Sequence, residues 1–67
     1  KMIVWCTITV TIMSSGLPWV TETAAKGIVK KETEIQYLVD FSEYAQEKDY
    51  YGDYKNRLVL KDECVKE

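Results

Sequence analysis

Sixty-seven residues with eleven acidic and nine basic side chains, and no histidine, carry a formal charge of −2. That balance excludes the dense positive surface with which many proteins attract phosphate backbones, and an apolar content of 46% excludes the composition of a disordered chain. The length allows one domain, residues 1–67, with a thin core of the kind that needs a disulfide, a metal, an oligomer interface or a closed barrel for support.

The first stretch, VWCTITVTI from Val4 to Ile12, sets the pattern. Val4, Cys6, Ile8, Val10 and Ile12 share one parity, while Trp5, Thr7, Thr9 and Thr11 share the other. A strand sends successive side chains to opposite faces, so this is one apolar face and one Thr-rich face. Its β-branched residues suit a pleated surface. We take it as the central strand. Met2–Val20 is uncharged and has the length of a membrane span. However, its period is 2, and its Thr, Ser, Gly and Pro content does not suit a membrane helix, so no membrane partner is expected. Lys1 ahead of Met2 reads as an appended residue.

Ser14-Ser15-Gly16-Leu17-Pro18 reads as a long first loop, Ser14 to Val20. It holds Leu17 and Trp19, either folded back as a lid or offered to a partner. Ala24 to Lys31 reads as the second strand, with Gly27 marking a bulge or bend. Glu32-Thr33-Glu34 is a polar turn. The third strand runs from Ile35 to Phe41, with Ile35, Tyr37, Val39 and Phe41 on one face.

Ser42 to Asn56 breaks the alternation. It is acidic and carries four of the five tyrosines, Tyr44, Tyr50, Tyr51 and Tyr54. A helical turn capped by Ser42 is expected at its start, and Gly52-Asp53 marks a turn near its tip. Long loops in small domains are commonly functional. Arg57–Leu60 is a fourth strand, Lys61–Glu63 a 3₁₀ turn and Cys64–Lys66 a short fifth strand.

This order resembles the SH3-like small β-barrels, the topology shared by SH3, Tudor and KOW-type domains. The resemblance rests on the hairpin GIVKKETEIQYLVDF and the end LVLKDECVKE. It implies an all-β fold, a five-stranded SH3-like barrel whose last strand closes against the first. It implies no site residues, because no family signature is complete. Small chains of this make-up also resemble viral accessory proteins.

Cys6 and Cys64 leave two readings open. The leading one is two separate buried thiols in a reducing, cytoplasmic setting; the other is a disulfide joining the first and last strands. Without histidine a zinc site is not expected, and no cofactor motif is present. Nor is there a general base suited to neutral pH, or a glycine-rich phosphate loop, so the chain does not read as an enzyme.

The tyrosine segment is the leading binding surface. Tyrosine gives a large rigid contact with a polar tip, and acidic neighbours steer a basic partner. The expected partner-binding residues are Tyr44, Tyr50, Tyr51, Tyr54, Glu47, Asp49, Asp53 and Trp19, and the expected partner is a protein. The blander reading has two of the four tyrosines tucked onto the barrel. Trp5 and Trp19 are read either as core or as an exposed aromatic patch. The alternative function is nucleic-acid binding through Lys26, Lys30, Lys31 and an exposed Trp. Homo-oligomerisation through the edges of an incompletely closed sheet is a further possibility.

Overall fold

Alternation carries the first strand further than the sequence suggests, and the second strand starts much earlier. A computed structural model describes all 67 residues as β1 (Ile3–Ser14), β2 (Leu17–Glu32), β3 (Gln36–Asp40), α1 (Ser42–Lys48), β4 (Arg57–Leu60), a 3₁₀ turn (Lys61–Glu63) and β5 (Cys64–Lys66). The five strands form one antiparallel sheet in the order β4-β3-β2-β1-β5. The fold is all-β with one short helix, and the order of elements after β2 follows the sequence reading.

The long first loop is replaced by a two-residue hairpin turn. Ser15 and Gly16 both have positive φ, 52° and 76°. Turns of that hand match the twist of flanking strands and join them directly. Leu17 pairs with Ser14 and Trp19 with Ile12, so residues read as a loop are strand.

The core is built from one parity of β1, Val4, Cys6, Ile8 and Val10, together with Ala25, Tyr37, Val39, Phe41, Ala45 and Tyr54. Gly27 pairs regularly with Val4, and the irregularity expected there lies instead between Val29 and Lys31. Gly27 has a packing role: a Cβ at this position would sit 2.6 Å from Phe41 Cδ1. Ile35 does not join Tyr37, Val39 and Phe41 inside, because β3 begins only at Gln36 and Ile35 stays exposed.

Ser42 lies inside α1 and does not cap it; Phe41 holds the cap position. Asp40 serves the helix start instead. Its carboxylate accepts the Ser42 N–H at 2.8 Å and the Ser42 hydroxyl at 2.6 Å. The ammonium of Lys61, 2.7 Å from Glu32, ties the 3₁₀ turn to the end of β2 and holds the Glu32 carboxyl below the usual range.

Cys6 and Cys64 are directly opposed across β1 and β5 and form a disulfide, which corrects the expectation of two separate thiols. The bond links positions 58 residues apart and clamps a three-residue last strand. The sheet is not closed into a full barrel. The far end of β1 is met by side chains and one turn, with Arg57 Nη1 donating to the Thr9 carbonyl at 3.1 Å.

Candidate protein-docking surface

The β1–β2 hairpin outruns the core, and the molecule measures 40 × 19 × 18 Å. Directly paired residues of an antiparallel ladder share a face. The apolar face of β1 therefore continues past Val10 into Ile12, with Trp19 and Leu17 beside it on β2. No further element covers this extension, where Trp19 is 57% exposed and Leu17 59%; on the opposite face of the arm Val20 is 67% exposed and Met13 is also exposed. The result is a hairpin arm with large apolar side chains and no charge from Met2 to Thr21.

The tyrosine segment reaches this arm. Tyr51 donates its N–H to the Thr11 carbonyl at 2.8 Å and bridges to Thr11. Thr11 pairs on its other side with Val20, so Val20, Thr11 and Tyr51 form one row across three backbone segments. The Tyr54 hydroxyl accepts the Thr11 N–H at 3.0 Å and donates to the Tyr51 carbonyl at 2.7 Å. One buried phenol thereby fixes both the strand edge and the turn.

The four tyrosines divide by role. Tyr54 is buried; Tyr44 and Tyr50 are half-buried; Tyr51 alone is exposed. Ring centroids step from Trp5 to Tyr44 at 5.5 Å, to Tyr50 at 6.3 Å and to Tyr54 at 6.0 Å. The Arg57 guanidinium lies 4.5 Å from the Tyr54 ring centroid and Lys48 5.5 Å from that of Tyr44, which closes the series with cation–π contacts. This aromatic series pins the segment to the sheet. Trp5 anchors it, with its indole N–H donating to Glu67 at 3.2 Å. Trp5 and Trp19 do not form a common patch, since Trp5 pairs with Lys26 at the opposite end of the hairpin from Trp19.

The acidic residues also separate. Asp49 occupies the left-handed position that ends α1, φ 64°. Asp53 accepts the Lys55 N–H at 3.0 Å, holding the next turn. Glu47 and Glu43 line an open cavity of about 340 Å³ together with Lys1, Lys26, Ile28 and Tyr44. The carboxylates thus surround the segment without converging on one point, and no group of three or more metal-ligating side chains is present.

Two of the three lysines read as a nucleic-acid strip are engaged with neighbours, while Lys31 is exposed and makes no ion pair. Lys30 donates to Asn56 Oδ1 at 2.6 Å, and Lys26 lies 3.5 Å from Glu67. No helix is long and apolar enough to cross a membrane.

Sequence reasoning missed Ile12, Met13 and Val20 as exposed residues. The available signal was Ser15-Gly16 between two alternating runs; the adjoining Ser14 and Pro18 suggested a longer loop. Comparison with protein-family models, curated proteins and solved structures finds no match.

Proposed function

We propose that this chain is a non-enzymatic protein-interaction module that offers its hairpin arm, one face of which is extended by Tyr51 of the tyrosine segment, to a protein partner. The observation that carries this reading is the uncovered hairpin arm, which presents Ile12, Leu17 and Trp19 on the face continuous with the core and the row Val20–Thr11–Tyr51 on the other. Exposed apolar side chains clustered on a projecting element mark contact surfaces, and Trp and Tyr are common anchors in them. Trp19 and Tyr51 act as the contacting aromatics. Tyr44, Tyr50 and Tyr54 act by fixing the segment, and Glu47, Asp49 and Asp53 supply a negative rim that favours a basic partner.

The scaffold reads best as a small barrel of SH3-like topology. Support comes from β5 returning to β1 after a single 3₁₀ turn and from Arg57 and Tyr54 spanning the remaining gap. A place of action in the cytoplasm requires the fold to survive opening of Cys6–Cys64, since disulfides persist chiefly in oxidising surroundings.

Affinity capture from host extract, followed by titration of the captured protein, tests the proposal. The double variant Trp19→Ser/Tyr51→Ser should keep its fold and weaken binding at least about tenfold, as for lost aromatic anchors. Unchanged binding by the folded variant contradicts it.

A further inference from the structure

The two-residue turn at Ser15–Gly16 fixes which backbone groups of the hairpin face outward. Ser14 and Leu17 close the turn as a hydrogen-bonded pair, so odd-numbered residues of β2 up to Gly27 direct N–H and C=O to β1. The phase is maintained to the other end, where the Val29 N–H donates to the Met2 carbonyl at 2.9 Å. Even-numbered residues therefore direct their backbone groups away from β1. The β3 ladder begins only at Ile28, paired with Asp40. Val20, Glu22, Ala24 and Lys26 are left with edge N–H and C=O groups that no strand pairs.

The opposite edge of the hairpin differs. On β1 the Ile3 carbonyl takes the Glu67 N–H, the Thr9 carbonyl takes Arg57, and Thr11 takes Tyr51 and Tyr54. The β1 edge is engaged at Ile3, Trp5, Thr9 and Thr11, whereas the β2 edge meets only the Thr23 hydroxyl, 3.5 Å from the Ala24 carbonyl, and is open to an added strand.

The side chains on this edge select the added strand. Glu22 and Lys26 are its two charges, both exposed, with Ala24 midway between them. Antiparallel self-pairing about Glu22 would set two like charges face to face. Self-pairing about Ala24 sets Glu22 of each copy opposite Lys26 of the other, twice by symmetry, with the small Ala24 side chains at the axis. Lys26 is also 3.5 Å from Glu67, an exposed contact that exchanges at little cost.

We infer that the outer edge of β2 pairs with the same edge of a second copy of this chain, antiparallel and centred on Ala24. The pairing uses backbone groups in the plane of the sheet and leaves the faces of the arm uncovered, so it stands independently of the proposed partner surface.

Sedimentation over a concentration series up to the millimolar range tests it. The wild type is expected to move from monomer to dimer. Glu22→Lys and Lys26→Glu should each weaken the dimer about tenfold, because two cross-strand pairs become repulsive. An equimolar mixture of these two variants should recover association, since each then supplies the charge the other lacks. Ala24→Pro, which removes the central edge N–H, should give monomer with wild-type circular dichroism. A wild type that stays at the monomer mass of 7.8 kDa throughout overturns the inference, as does a dimer indifferent to the charge reversals.

Discussion

Gly27 and Asp40 show how single positions decide the shape of this small core. At Gly27 the missing side chain admits Phe41 and Val39 against β2. A methyl there has nowhere to go, because Phe41 and Val39 are themselves fully enclosed. Gly27→Ala should cost about 1–3 kcal/mol as an overpacked site, read as a lower urea midpoint with little change in slope. Asp40 works through hydrogen bonds. The Ser42 hydroxyl, aided by the Ser42 N–H, holds the Asp40 carboxyl below the usual carboxylate range against the opposing effect of burial. A depressed folded-state value means the stabilisation is complete above the unfolded value and is lost as pH falls through the folded one. Asp40→Asn should therefore reduce stability at neutral pH by about 1 kcal/mol. It should also flatten the acid limb of the stability profile from about pH 5 downward. An unchanged acid limb would show that Asp40 does not anchor α1.

At the scale of elements, the parity of β1 was legible because burial follows it without a break from Val4 to Val10. The four-residue β4, the 3₁₀ turn and β5 were legible from short apolar runs separated by charge. The arm was not, because Ser-Ser-Gly and Pro are equally the residues of a loop, and only the positive φ of Ser15 and Gly16 distinguishes a tight turn. Pro18 is tolerated in β2 because its absent N–H falls on the unpaired edge. The tyrosine segment was visible as a composition but not as a division of labour. Nothing in its spacing announces that Tyr54 is enclosed and Tyr51 exposed; that depends on Thr11, forty or more residues away. The disulfide belongs to this scale as well. It closes a long span, 58 residues, onto a strand of only three. By the chain-entropy estimate its removal costs about 4 kcal/mol. Reduction, or the pair Cys6→Ala and Cys64→Ala, should lower the melting temperature markedly and raise amide exchange first in Cys64–Lys66. Equal exchange of β5 with and without reductant would refute the clamp.

For the whole molecule, a thin core supports a surface larger than the core itself needs. Ten buried apolar residues lie under the middle of the sheet, while the hairpin extends beyond them with Ile12, Met13, Leu17, Trp19 and Val20 uncovered. Such residues add little to folding, so Leu17→Ser with Trp19→Ser should change stability by less than about 1 kcal/mol; a large loss would mean that the arm belongs to the folding core. Rigidity comes from elsewhere, from the Trp5–Tyr44–Tyr50–Tyr54 series and the Cys6–Cys64 bond. The strand VWCTITVTI connects these parts: its buried parity forms the core, its outer edge receives the tyrosine segment, and its far end carries half of the arm. The most direct test of this account is amide hydrogen exchange of the protein with and without its captured partner. The account predicts protection confined to Thr11–Val20 and Tyr50–Asp53. Protection centred on Lys26–Lys31, or none in the arm, would contradict it.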